Sequence, residues 1–238
     1  MRERRTDTQW YGMDIFTTAY PRSGSTWLGR ILSDLLGARQ QAIPDDIIVD
    51  EFAREINPEY VIRKTHWYNW QYPGVGYDKK PCKIIWITRD PRDMCVSIMY
   101  YRGLTPDKLQ STIVSLDNPK QPDNIGIHAF VRGWTETPPD FHVTYEELHN
   151  DPYPAIAGMF QTITGKVPNS PEIKKLVKRQ QFHVIAPEYP HSMRKGIIGD
   201  WKNHFKYDDA VLFEKLYGDL LRELGYETDP NWVNKVSD

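Results

Sequence analysis

The chain has 238 residues, with 30 Lys and Arg against 32 Asp and Glu. That length accommodates one α/β domain with a buried core, and the balanced charge supplies no global field for bulk nucleic-acid binding, so any anion must be held by local basic clusters. Two cysteines, Cys82 and Cys95, are too few for a disulfide scaffold, and no window reaches the roughly 18 apolar residues of a membrane span. The charged opening "MRERRTDTQW" lacks the apolar run of a secretory signal. The expectation is therefore a cytoplasmic protein whose cysteines act as small buried hydrophobes.

In chain order, "MDIFTTAY" (Met13–Tyr20) is short, β-rich and mostly apolar, the pattern of a buried strand. Thr26–Leu36 carries Trp27, Ile31, Leu32, Leu35 and Leu36 at helical spacing, and Gly37 closes it. "EYVIRKTH" (Glu59–His66) and "CKIIWITRD" (Cys82–Asp90) read as further strands, the second nearly continuous in apolar residues, as when both faces are covered. Asp90 suits an N-cap and Pro91 the first position of the next helix. "DFHVTYEEL" (Asp140–Leu148) reads as a fourth strand running into a turn or helix. Asp208–Tyr226 is expected to be an amphipathic helix, with Val211, Leu212, Leu216, Leu220 and Leu224 on or near one face. Ser115–Gly126 and Glu188–Trp201 are Pro- and Gly-containing loops. Strands separated by helices predict a central parallel β-sheet flanked by helices, in a single α/β domain over 1–238.

The stretch "YPRSGSTW" lies between the first strand and the first helix. Its backbone N–H groups, Ser23, Ser25, Thr26 and the charge of Arg22 suit a phosphate or sulfate, Gly24 permits a close turn, and the helix dipole adds to the field. Alone it also reads as an ordinary helix start beside a solvent-facing arginine. Gly24 is followed by Ser25 and Thr26, without the Lys-Ser/Thr of a triphosphate loop, which disfavours a magnesium-nucleotide kinase. Two more basic stretches follow: "ITRDPRDMCVS", with Arg89 at a strand end and Ser97 on the next helix, and "RKGIIGDWKNHF" (Arg194–Phe205).

Together these motifs resemble the cytosolic sulfotransferase family, whose first motif reads Y-P-K-S-G-T-T-W and whose last reads R-K-G-x-x-G-D-W-K-N-x-F. The last is matched at every specified position, and "RKTH" and "VTYEEL" fit as well, so the likeness spans most of the chain. The resemblance implies a phosphate-loop-related sulfotransferase fold and a cofactor, 3′-phosphoadenosine 5′-phosphosulfate (PAPS), leaving 3′-phosphoadenosine 5′-phosphate (PAP) as product. It assigns the 5′-phosphosulfate to Arg22, Ser23, Gly24, Ser25 and Thr26, and the 3′-phosphate to Arg89, Ser97, Arg194, Lys195 and Gly196. Trp27 is implied to stack on adenine, Tyr145 to bond its edge, and Phe182 to add an aromatic wall, although Gln180 and Gln181 replace the family's Thr-Ser before it.

The implied chemistry is in-line displacement onto a hydroxyl of a small-molecule acceptor, with His66 as general base and Lys64 and Arg22 beside the transferring group. Arg22 stands where the family mostly has lysine; it keeps the charge but cannot donate a proton. Trp67, Tyr68, Trp70 and Tyr72 follow the base and suit the wall of a phenolic or lipid-like acceptor site, or core packing. No His/Cys/Asp cluster has metal-ligand spacing, so no metal is expected. The family's dimerisation motif K-x-x-x-T-V-x-x-x-E meets Lys206, Tyr207 and Val211 at its specified places, so dimerisation by that motif is not supported. The competing readings are a nucleotide kinase on a related fold and a non-catalytic module that binds PAPS or PAP.

Overall fold

The computed structural model describes residues 12–42, 57, 59–66, 82–117, 126–190 and 193–237. Its centre is a five-stranded, all-parallel sheet of β1 (Met13–Ala19), β2 (Arg39–Ala42), β3 (Tyr60–Thr65), β4 (Cys82–Thr88) and β5 (Phe141–Thr144). The spatial order is β2-β3-β1-β4-β5. The chain goes out from β1 to one edge and then crosses to the other side, which opens a crevice at the carboxyl ends of the central strands. Register sets those ends level: Thr18 pairs Thr65, Ala19 pairs Ile87 and Thr88 pairs Thr144. The residues that follow the four strands are Tyr20, His66, Arg89 and Tyr145, so one rim receives all four.

Alternation along the strands feeds two cores. Phe16, Ile84 and Trp86 face one layer, shared with α2 (Pro91–Tyr101), α3 (Leu109–Ser115), α4 (Ile127–Glu136) and α9 (Tyr207–Glu223). Ile15, Ile85 and Ile87 face the other, shared with α1 (Ser25–Leu36), α5 (Tyr145–Asn150), α6 (Pro152–Thr164), α7 (Ser170–Arg179) and α8 (Phe182–Ile185). No helix among the described residues is long and apolar enough to cross a membrane.

Helix signals act as the sequence predicts at two places. Gly37 closes α1 in the left-handed region, and Asp90 caps α2 by accepting from the Arg92 N–H. The buried face of α9 meets expectation at its leucines and departs from it at Val211. Ala210, Phe213, Tyr217, Leu220 and Leu221 turn inward, while Val211 is 42% exposed. Phe213 and Tyr217 share the core side, which packs against α3, with Leu220, and Leu212, Leu216 and Leu224 are partly buried beside it. Cys95 is fully buried as expected, whereas Cys82 is only half-buried.

Candidate active site

Gly24 precedes α1 with φ of 101°, and a Cβ there would meet the Tyr145 ring at 2.9 Å. No side chain among the described residues caps the helix, so its first N–H groups are available to an anion. Arg22, two residues earlier, is a non-glycine residue at φ of 73°, a conformation that costs about 1–2 kcal/mol. Its Nε donates to Ser97 Oγ at 3.1 Å and its guanidinium lies 4.6 Å over the Tyr101 ring. Lys64, on β3, donates to Thr26 Oγ1 at 3.1 Å. Burial lowers the pKa of Arg22, and the charges of Arg89 and Arg194 add to that against an opposing pull from Tyr101. Burial and then Arg22 lower Lys64 in turn. These cations crowd one another, an arrangement that favours an anion between them.

His66 sits at the mouth with an exposed edge. Its Nδ1 is 2.6 Å from the Ala19 carbonyl oxygen. A carbonyl only accepts, so Nδ1 carries the proton and Nε2 is the basic nitrogen. Close packing of the ring pushes its pKa below the ordinary histidine value; the bond to Ala19 opposes the shift, and the Lys64 charge deepens it. At neutral pH the ring is therefore a neutral base.

The other end of the cleft is built from α2 and the loop before α9. Arg89 lies 4.3 Å over the Tyr145 ring and donates from Nη2 to the Ile197 carbonyl at 3.1 Å. Its Nε is buried, with no hydrogen-bond partner among the described residues. Arg194 and Lys195 both reach Asp200, at 2.8 and 3.4 Å. Burial pushes the Asp200 carboxyl up, but Arg194, Asn203, Lys195 and His204 outweigh it and hold the pKa at about 2. Gly196 has φ of 66°, and any Cβ there would lie 2.4 Å from the Phe182 ring. Trp27, buried between Tyr145 and Phe182, donates from Nε1 to the Gln180 carbonyl at 2.7 Å.

The structure thus brings Arg22, Gly24, Ser25, Thr26, Trp27, Lys64, His66, Arg89, Ser97, Tyr145, Phe182, Arg194, Lys195 and Gly196 onto one cleft of about 270 Å³. A second cleft, of about 600 Å³, adjoins it through Trp27, Phe182 and Lys195–Ile197. Ser23 departs from expectation. Its side chain is fully buried and its hydroxyl donates to Met94 Sδ at 2.8 Å, because the tight turn through Arg22 and Gly24 directs it into the core. Trp67, Tyr68, Trp70 and Tyr72 lie outside the described residues. Sequence reasoning missed Asp93, Asp200 and Tyr101, which also line the first cleft. Asp93 stands one helical turn after Arg89 and Asp200 within the last basic motif, a spacing that was there to be read. Among the described residues no cluster of three His, Cys, Asp or Glu side chains is placed to share a metal ion.

Comparison with known proteins agrees with this architecture. Sulfotransferase 1E1 of Cavia porcellus is 25% identical over 250 residues, covering 88% of this chain and 83% of the relative. The amine sulfotransferase of Oryctolagus cuniculus is 23% identical over 249 residues, covering 88% and 81%. Among solved structures, mouse sulfotransferase SULT7A1 complexed with PAP superposes with a TM-score of 0.68 at 21% identity, covering 94% of this chain and 89% of that one. Retinol dehydratase in complex with androsterone and PAP gives 0.66 at 16%, covering 87% and 80%. These two structures share the fold. The model of the sulfotransferase domain matches residues 13–225, and with that match the chain belongs to the sulfotransferase family.

Proposed function

We propose that this protein transfers a sulfuryl group from PAPS to a hydroxyl of a small-molecule acceptor, with His66 as the general base. The observation that carries this reading is the pairing of a neutral histidine, its Nδ1–H fixed on Ala19, with crowded cations in one cleft. The residues fit the cofactor. The buried Arg89 Nε, unpartnered among the described residues, the crowded Arg22 and the α1 N-terminus without a side-chain cap suit an elongated ligand with anions at both ends. Arg22, Lys64, Thr26 and the α1 N-terminus would hold the 5′ end. Arg89, Ser97, Arg194, Lys195 and the Gly196 backbone would hold the 3′-phosphate. Trp27, Tyr145 and Phe182 would flank the adenine. PAP in two structural neighbours of the same fold supports PAPS as the cofactor.

When bound, PAPS supplies an activated sulfuryl group and a phosphate leaving group. His66 Nε2 accepts the proton of the acceptor hydroxyl, and the Nδ1–H bond to Ala19 keeps the tautomer. Arg22 and Lys64 offset charge at the transferring end; Arg22 does so without donating a proton. We assign the acceptor wall to Trp67, Tyr68, Trp70 and Tyr72, and the site of action to the cytoplasm, where the two unpaired cysteines stay reduced.

The test is single-turnover transfer from labelled PAPS to a panel of phenols, alcohols and amines, amines being included because one relative is an amine sulfotransferase. His66→Ala should lower the rate by about 10²–10⁴-fold with PAP affinity unchanged. A base works above its pKa, and this pKa is lowered, so the acidic limb of the wild-type profile should fall below pH ~6.5. His66→Ala should lack that limb. Wild-type rates and an unchanged profile in His66→Ala would overturn the base assignment. Binding of PAP without transfer to any acceptor would leave a non-catalytic binding module.

A further inference from the structure

The 3′-end groups, three cations and a hydroxyl, come from segments far apart in the chain: Arg89 and Ser97 from the β4–α2 region, Arg194 and Lys195 from the loop before α9. Something must hold that loop against α2, or the two sets would not face one anion. The candidate is Asp93, in the first turn of α2. Its side chain is fully buried. Its Oδ2 accepts the Gly199 N–H at 2.7 Å and its Oδ1 accepts the Trp201 N–H at 2.8 Å, across 106 and 108 residues of sequence. Arg89, one turn earlier, stands 3.7 Å from Oδ2 and donates to the Ile197 carbonyl. The loop is therefore gripped through backbone groups on both sides of Ile198.

Resting on the function proposed above, we infer that Asp93 is a positioning residue, a clamp that holds the 194–199 loop down so that Arg194 and Lys195 share the 3′-phosphate with Arg89 and Ser97. A carboxylate suits the task because two convergent N–H donors need two acceptor oxygens. Asparagine offers one oxygen and would aim its own N–H₂ at a backbone N–H, leaving a buried donor unmade. Glutamate keeps both acceptors on a longer stem. On the loop the clamp touches backbone only, so it acts whatever side chains the loop carries at 197 and 198.

The experiment compares full-length wild type, Asp93→Asn and Asp93→Glu by calorimetry with PAP and with adenosine 5′-phosphate, which lacks the 3′-phosphate, and by amide hydrogen exchange without ligand. Asp93→Asn should lose on the order of 10–100-fold in PAP affinity, the loss of one or two charge-assisted bonds. Its affinity for adenosine 5′-phosphate should hold within about twofold. Gly199 and Trp201 amides should exchange faster, and Asp93→Glu should recover part of the PAP affinity. Equal losses for both ligands would mark Asp93 as merely structural and overturn the clamp. So would PAP binding at the wild-type level in Asp93→Asn. If Asp93→Asn does not fold, the wild-type exchange decides: a Gly199 amide exchanging like an open loop amide overturns the proposal, and a protected one with partial PAP loss in Asp93→Glu supports it. Wild type that fails to bind PAP at all would refute the proposed function together with the positioning role of Asp93, even where exchange still reveals the clamp.

Discussion

At the residue scale, the departure at Arg22 has a structural counterpart. A lysine would make one point-charge contact, whereas the guanidinium is fixed by three things at once: a left-handed backbone, the Ser97 hydroxyl and the exposed face of Tyr101. Tyr101 is 64% exposed, and the guanidinium of Arg22 lies over its ring. A cation–π contact of this type is worth about 0.5–2 kcal/mol. Tyr101→Ala should therefore slow single-turnover transfer by roughly 2–30-fold. In an Arg22→Lys background the same change should matter much less, because the planar group is gone. An equal effect of Tyr101→Ala in both backgrounds would show that Tyr101 acts on the acceptor rather than through Arg22.

At the element scale, three helices on one side of the sheet meet at a single histidine. His128 of α4 bonds Asp117, just past α3, through Nδ1, and Asp219 of α9 through Nε2 at 3.1 Å, with its ring stacked on Tyr217. Arg132 lies 3.8 Å from Asp219. The bond to Asp117, and then Asp219, raise the His128 pKa above the ordinary value against partial burial. The sign follows from linkage. With the folded pKa above the unfolded one, the contribution is fully present below pH ~6.5 and is lost as pH rises through the raised folded value. Partly exposed bonds of this kind are worth about 1 kcal/mol, or roughly 2–4 °C in a domain of this size. His128→Gln should cost about that much in the melting midpoint at pH 5.5 and little at pH 9. Thermal scans that show the same cost at both values would exclude a protonated clamp.

At the scale of the whole molecule, the core shared with α2, α3, α4 and α9 is joined to the site by the C-terminal segment. The turn from Pro230 to Lys235 lies beyond the matched residues 13–225, yet Trp232 is 3% exposed. It packs edge-on against Trp201 and donates from Nε1 to Glu214 Oε2. Arg92 lies between Trp201 and Trp232, 4.0 and 4.6 Å from the two rings, with its guanidinium held by Asp90 and Glu227. Asp90 also caps α2, and Trp201 follows the loop that Asp93 grips, so the C-terminal turn buttresses both walls of the cleft at the Arg89 end. Trp232→Ala should cost about 3–5 kcal/mol in denaturant unfolding, as for other buried tryptophans. A loss below ~1 kcal/mol would show that the turn only rests on the surface.

Local patterns in the sequence determined much of this. Continuous apolar strands, the Gly37 and Asp90 caps and the basic motifs at strand ends are short-range features, so β1, β3, β4, α1 and α2 were legible, and so were most residues of the cleft. What stayed hidden is non-local. β2, with the polar sequence RQQA, has no hydrophobic pattern and becomes a strand only because β3 offers it an open edge. Helices α3, α4, α6 and α7 were not singled out in the sequence, and the place of Phe213 and Tyr217 on the buried side of α9 was set by what they met across the core. Ser23 reads as a ligand residue from its motif and is turned away by the backbone strain at Arg22. Asp93 and Asp200 look like ordinary surface charges until the fold sets them against backbone and cations more than a hundred or only a few residues away. The sequence alone supplied the chemical groups and their order at the strand ends. Parallel register, with Thr18 beside Thr65, Ala19 beside Ile87 and Thr88 beside Thr144, decided that these groups share one rim, because hydrogen bonding between strands fixes levels that no single segment encodes.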